Sequence, residues 1–237
     1  MKIKKHEVKN IIVTGKSGAG KQPRIDVVAE ELGLKQLATG TIFREFLTAF
    51  KNGEKNREAD LGKQAHAYIS AGKFVPDSLT NEIFAEYFKQ HDYKGCILDG
   101  YPRTVDQAKH LMKLLKKNGS HIDMIIEVHR DDENIINHTI HRRTCKSCAK
   151  VYHMLDNPPK KDNSCHDCGG EVFHRPDDTE EKLKSRLNEF HKKVVPALEE
   201  LKKKDIHFVV VDGFINPYSK EKMKQMVRDA LKTKIDL

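Results

Sequence analysis

The sequence predicts an α/β protein: a doubly wound, parallel, five-stranded sheet flanked by helices. Three observations carry that expectation. Five short apolar runs (Ile11 to Val13, Leu37 to Ala38, Cys96 to Leu98, Met124 to Val128, Phe208 to Val211) have strand length, and several are continuous rather than alternating, as in a sheet covered on both faces. Apolar residues at helical spacing fall between the runs. A glycine-rich turn ending in lysine joins the first run to the first helical pattern. Strands alternating with helices favour parallel pairing through right-handed crossovers, which places ligands at the carboxyl ends of the strands.

The elements follow in order. Ile25, Val28, Ala29 and Leu32 space a helix that ends before Gly33. A polar, mainly helical stretch from about Thr39 to Val75 interrupts the rhythm. After the third run, Val105, Ala108, Leu111, Met112 and Leu115 space a second helix ending before Gly119, with Thr104 and Gln107 placed for a capping box. A Cys/Pro/Gly-rich stretch from about Arg142 to Asp178 breaks the pattern again. Leu183, Leu187, Phe190, Val194, Leu198 and Leu201 then hold helical spacing over a long segment, in which Pro196 predicts a kink. Both interruptions read as insertions over the sheet.

At 237 residues, with 38% hydrophobic and 33% charged side chains, the chain is long enough for a real core and has a globular rather than a disordered composition. No apolar run approaches the roughly 18 residues that span a bilayer, and MKIKKHEVKN passes into a strand without a signal-peptide core, so a cytosolic protein is expected. The net charge of +8 suits nucleic acid, an acidic surface or polyphosphates alike. A monomer is the default expectation.

Thr14-Gly15-Lys16-Ser17-Gly18-Ala19-Gly20-Lys21 satisfies G-x-x-x-x-G-K between a strand and a helix. Glycines let the backbone wrap a phosphate with its N–H groups inward. The helix N-terminus adds partial positive charge, and Lys21 can reach the transferred phosphate. Gln22 stands where a general P-loop protein places a magnesium-binding Ser or Thr, and Pro23 removes one backbone N–H.

A second motif, Asp99-Gly100-Tyr101-Pro102-Arg103-Thr104 followed by Gln107, closes the third run. Asp99 can hold the water shell of Mg²⁺, Arg103 can grip a phosphate in bidentate fashion, and Gln107 can read an adenine edge. This motif resembles the D-G-[FY]-P-R-T pattern of adenylate kinases. Ala38-Thr39-Gly40-Thr41-Ile42-Phe43-Arg44 and Ala71-Gly72-Lys73-Phe74-Val75-Pro76-Asp77 resemble two further segments of that family. So do His141-Arg142-Arg143, Arg175-Pro176-Asp177-Asp178 and Arg186 around the cysteine segment.

The resemblance covers nearly the whole chain and implies reversible, Mg²⁺-dependent transfer between ATP and AMP, giving two ADP. It implies a core of residues 1–38, 76–141 and 179–237, an acceptor-binding insertion 39–75 and a lid 142–178. The donor side would comprise Gly15, Ser17, Gly18, Ala19, Gly20, Lys21, Gln22, His138 and Arg142. The acceptor side would comprise Thr39, Gly40, Arg44, Val75, Gly100, Arg103, Gln107, Arg175 and Arg186. Lys21, Asp99, Arg103, Arg142, Arg175 and Arg186 would carry the chemistry, by positioning and charge neutralisation rather than acid–base steps. Pro23, Thr41 and His138 depart from the family pattern, which leaves open a different base specificity or a weakened nucleotide-binding relative.

Cys145-x-x-Cys148 and Cys165-x-x-Cys168 form two knuckles suited to a closed, structural Cys₄ zinc site. Cys96, in an apolar run, reads as a core residue. A zinc ribbon that reads nucleic acid is the rival reading of the knuckles. Between Arg142 and Asp178, however, seven Lys/Arg stand against six Asp/Glu, with two aromatics, which is no basic stacking patch. Neither nucleic acid nor membrane is expected as a partner.

Overall fold

The computed structural model describes residues 2–71, 75–148, 150–155, 157–176, 178–215 and 219–237. Gly72, Lys73 and Phe74 of the expected acceptor segment, and Asp177 of the expected lid, lie outside the described residues. The strands are β1 (Ile3–Lys4), β2 (Asn10–Thr14), β3 (Lys35–Ala38), β4 (Cys96–Asp99), β5 (Met124–His129), β6 (Arg142–Cys145), β7 (Val151–His153), β8 (Val172–Phe173), β9 (His207–Asp212) and β10 (Ile235–Asp236). The helices are α1 (Lys21–Leu32), α2 (Thr39–Lys51), α3 (Arg57–Ser70), α4 (Asp77–Lys89), α5 (Val105–Lys117), α6 (Asp132–Thr139), α7 (Glu180–Glu189), α8 (Val195–Lys202) and α9 (Lys220–Lys232).

Five strands form one parallel sheet in the order β3-β4-β2-β5-β9. All five expected runs are in it. The central strand β2 is buried along its whole length, which is why its sequence shows no alternation. Ile12 faces one core layer together with Leu98, Ile125 and residues of α4, α5 and α8. Ile11 and Val13 face the opposite layer, with Ile97, Ile126 and residues of α1 and α9. Each such side chain contributes about 1.5–3 kcal/mol by leaving water, so the two layers hold the carboxyl ends of β2, β4 and β5 in fixed register.

Helix ends follow local chemistry. Gly33 takes φ 68° and its N–H closes α1 on Ala29 O at 2.9 Å. Thr104 caps α5, its hydroxyl accepting from Gln107 N at 3.2 Å. The expected capping box is one-sided, because the Gln107 carboxamide is bound elsewhere. In the long segment after the lid, a π turn over Phe190–Val194 separates α7 from α8, with Val195 N–H bonded to Phe190 O. Pro196 has no N–H to give and its ring crowds the preceding turn, so the kink takes this widened form.

Two features depart from the expected layout. The stretch after Thr39 is less polar in effect than its composition suggests: Ile42 and Phe46 of α2, with Leu61 and Ala65 of α3, join the main core layer. A separate pair of two-residue strands, β1 and β10, ties the chain ends together in parallel, with Ile235 fully buried. Strands that short carry no periodic signal. Among the described residues no helix is long and apolar enough to cross a membrane.

Candidate active site

The phosphate loop leaves β2 and enters α1 at Lys21. Gly15, Gly18 and Gly20 take φ of 142°, 88° and 86°, a region that side chains avoid. Close contacts reinforce the requirement: a Cβ on Gly15 would lie 2.4 Å from Val128 O, and one on Gly18 would lie 2.8 Å from Thr139 Oγ1 of α6. Ala19 is fully buried and its N–H bonds to Lys16 O at 3.1 Å. The Lys21 ammonium lies back over the loop, donating to Gly15 O at 2.8 Å and Lys16 O at 3.0 Å. Burial lowers its pKa, with Asp99 opposing and Arg103 reinforcing that shift.

Asp99 ends β4 beside β2, the strand that carries the loop. Gln36 Nε2 donates to Asp99 Oδ2 at 2.9 Å, and the Gln36 carboxamide forms a reciprocal pair with that of Gln22, at 2.8 and 3.1 Å. The Gln22 side chain therefore turns toward β3 and Asp26, leaving its backbone as the part that faces the loop. Gly100 (φ 77°) lets the chain turn beneath Arg103, whose Nε donates to Gly100 O at 2.7 Å. The Arg103 pKa is lowered by burial, with the Asp99 carboxylate opposing. Lys21, Asp99 and Arg103 thus share one small volume at the carboxyl ends of β2 and β4.

The residues expected on the acceptor side lie around that volume. Thr39 Oγ1 donates to Asp99 O at 3.2 Å, tying the start of α2 to the end of β4. Gln107 is 5% exposed, and its carboxamide is engaged at both ends: Oε1 accepts from Arg103 N at 2.7 Å and Nε2 donates to Asp77 Oδ1 at 2.7 Å. Reading a base edge would require those bonds to exchange. Arg44 donates to Thr41 Oγ1 at 2.9 Å, Gly40 lies against the Arg44 guanidinium, and Val75 packs on the core layer below. An open cleft of about 290 Å³ lies here, lined by Gln22, Gln36, Ala38, Thr41, Ile42 and Tyr87.

Two arginines of the expected lid are held by residues of the same segment. Arg142 is bidentate on Asp178, at 2.8 and 2.6 Å, and that carboxylate is fully buried. Arg175 Nε donates to Thr144 Oγ1 at 2.7 Å, and Arg186 lies in the last turn of α7. His138 of α6 stacks on His153 of β7, with ring centroids 4.1 Å apart. Cys145 ends β6, and Cys148, Cys165 and Cys168 lie in the connections between the strands of the β7-β6-β8 sheet. Cys145 and Cys168 sulfurs are 3.5 Å apart, those of Cys148 and Cys165 3.6 Å apart, and all four lie within 4.8 Å of one another. That arrangement can hold one metal ion. The Tyr152 hydroxyl, 3.1 Å from Cys165 Sγ, is the largest influence pulling that thiol down to about 6, favouring the thiolate that a metal needs.

The adenylate kinase family profile matches residues 13–206. The chain belongs to the adenylate kinase family. It is 38% identical over 198 residues to the adenylate kinase of Symbiobacterium thermophilum, covering 83% of this chain and 88% of that protein. With the adenylate kinase of Archaeoglobus fulgidus it shares 38% identity over 205 residues, 86% of this chain and 90% of the relative. With that of Caldicellulosiruptor bescii it shares 34% over 223 residues, 94% and 97% of the two chains.

An adenylate kinase site must neutralise a long phosphate chain and exclude water, and this arrangement has the parts for the first task in a preformed cluster. Three residues of the site have no role assigned from the sequence, two of them quoted there only as the ends of motifs. Gln36 orients Asp99, Asp178 clasps Arg142, and Asp77 accepts from both Thr104 Oγ1 and Gln107 Nε2. Asp77 and Asp178 close recognisable adenylate kinase segments, so their motifs carried a signal. Gln36, one residue before the end of an apolar run, carried none.

Proposed function

We propose that this chain catalyses the reversible reaction of ATP and AMP to two ADP by direct in-line transfer of the donor γ-phosphate. The observation that carries the reading is the convergence of Lys21, Asp99 and Arg103 at the carboxyl ends of β2 and β4, directly at the glycine-rich loop. The loop backbone receives the donor phosphates, Lys21 leaves its carbonyl partners for the transferred group, and Arg103 spans acceptor and transferred phosphates. Magnesium bound to the nucleotide supplies further neutralisation of phosphate charge. Asp99, fixed by Gln36, is placed to anchor the water shell of that ion.

Residues 39–75 and 142–178 act as the two closing pieces, bringing Arg44 onto the acceptor and Arg142 and Arg175 onto the phosphates, where Arg186 of α7 joins them. Closure requires Arg142 to loosen its bidentate grip on Asp178, so that carboxylate is a counter-ion for the open state. Four thiolates fill the coordination of a tetrahedral ion, and we assign a structural zinc there, holding the lid. A coupled assay of each NTP donor against each NMP acceptor tests the reading: ATP with AMP should give the highest turnover, and a preparation inactive with every pair refutes it.

A further inference from the structure

The phosphate-loop pattern accepts any residue at position 16, yet this chain places a lysine there and buries it. Lys16 is 8% exposed, and a lysine is almost never buried without a partner. Its Nζ donates to Arg130 O at 3.1 Å and pairs with Asp132 Oδ1 at 2.5 Å. Its main-chain O accepts from Lys21 Nζ at 3.0 Å and from Ala19 N at 3.1 Å. One residue therefore holds the resting Lys21 with its backbone and anchors the loop with its side chain.

Asp132 stands in the first turn of α6, where the helix dipole alone would favour a carboxylate. It takes partners from two other elements as well: Lys16 of the loop, and His191, whose Nε2 lies 2.9 Å from Asp132 Oδ2. Burial raises the Asp132 pKa, but Lys16 and His191 outweigh that, so the carboxylate is held below its ordinary value. His191 belongs to the π turn Phe190–Val194 that follows α7, the helix of Arg186. Widened turns of this kind often mark functional sites. Helix α6 itself backs the loop, since a Cβ on Gly18 would lie 2.9 Å from Ile135 Cγ2 and 2.8 Å from Thr139 Oγ1. Lys16, Asp132 and His191 thus join the glycine loop, α6 and the turn after α7 in one chain of contacts.

Donor phosphates that enter the loop draw Lys21 off the carbonyls of Gly15 and Lys16. A peptide freed in this way can swing its oxygen toward the phosphates, because Gly15 tolerates many backbone angles, and the oxygen would then repel them. An anchored Lys16 side chain keeps that carbonyl turned away and the loop N–H groups inward. We propose that Asp132 is a positioning residue for the donor phosphates, acting through Lys16 on the loop backbone, with His191 fixing the carboxylate from the turn after α7. The proposal rests on the phosphoryl-transfer reading of the loop and adds to it three side chains that reach the donor only through the loop backbone.

The test measures kcat, the KM for ATP and for AMP, and the calorimetric Kd of Mg-ATP and of AMP. The proteins are the wild type, Lys16→Met, Asp132→Ala, Asp132→Glu, His191→Phe, and Lys16→Met combined with Asp132→Ala. Lys16→Met and Asp132→Ala should each weaken ATP about tenfold in KM and Kd, the worth of one charge-assisted bond, with AMP within about twofold of wild type. The double variant should bind ATP no more weakly than either single one, because both break the same tether. Asp132→Glu keeps the carboxylate and should recover ATP affinity to within about threefold of wild type, while His191→Phe leaves the Lys16 pair and should lose about threefold. Equal losses for ATP and AMP, additive losses in the double variant, or an unchanged ATP affinity in Asp132→Ala would overturn the proposal. Should Lys16→Met fail to fold, the Asp132 and His191 variants decide, since those side chains are 41% and 49% exposed. A wild type that binds Mg-ATP yet transfers nothing refutes the kinase reading, and the ratios of Kd still decide the tether; a wild type that binds no ATP overturns both.

Discussion

Replacing Cys165 by serine is expected to unfold the lid and leave the five-stranded sheet intact. Cys165 is fully buried, with its sulfur 3.6 Å from Cys148 Sγ and 3.1 Å from the Tyr152 hydroxyl. Four sulfurs bound at ~2.3 Å around a tetrahedral zinc ion stand about 3.8 Å apart, within the spread seen for this cluster. Among the described residues the buried apolar cluster of the lid consists of Cys145, Tyr152, Cys165 and Val172, so apart from the ligands two side chains remain. At about 1.5–3 kcal/mol each they contribute roughly 3–6 kcal/mol, whereas a structural zinc ion contributes on the order of 10–16 kcal/mol at neutral pH. A lost ligand therefore removes more than the lid can make up. Metal analysis should fall from one zinc per chain, and hydrogen exchange should show β6, β7 and β8 losing protection while β2, β4 and β5 keep theirs. A Cys165→Ser protein that retains tightly bound zinc and protected lid strands would refute the reasoning.

Four further outcomes are expected. Arg103→Lys keeps the charge but not the planar fork, so turnover should drop about a hundredfold with little change in melting temperature, measured by coupled assay and calorimetry. Gly213→Ala drives a Cβ to 2.1 Å from Ala19 O and 2.7 Å from His129 O, both backbone atoms, so stability should fall by about 1–3 kcal/mol and the KM for the donor should rise. Burial pushes the Cys96 thiol up to about 12 from an ordinary 9.0, so the folded state resists its ionisation. Its stabilisation is complete below pH 9 and is lost as pH rises toward 12, by up to about 4 kcal/mol; Cys96→Val should flatten that part of a stability-against-pH curve. Ile235→Ala, at a fully buried position in the chain-end clasp, should cost about 2–5 kcal/mol in denaturant titration while leaving kcat unchanged.

The parts of the fold legible in the sequence are those set by local rules. Continuous apolar runs marked β2, β4 and β5 because both faces of the sheet are covered, and Gly33 marked the end of α1 because it alone relaxes into a left-handed cap. The phosphate loop was legible for the same reason: its glycines are demanded by backbone geometry that no other residue tolerates. Partners distant in sequence were not legible. Nothing near Gln36 announces that it will meet Asp99 across 63 positions, and nothing near Arg142 announces Asp178 as its partner. Arg130 is the sharpest example. In the sequence it is one charge among many after a strand, and only the fold shows it buried with its guanidinium over the Phe214 ring.

Binding of two adenosines joined by five phosphates tests the central claim most directly, because it requires the glycine loop and the arginines to address one phosphate chain together. Isothermal titration should show one molecule bound per chain, at least a hundredfold more tightly than ATP or AMP alone, with most of that gain lost in Arg103→Ala. Binding no stronger than that of a single nucleotide would contradict the account, even if the lid holds its zinc as expected.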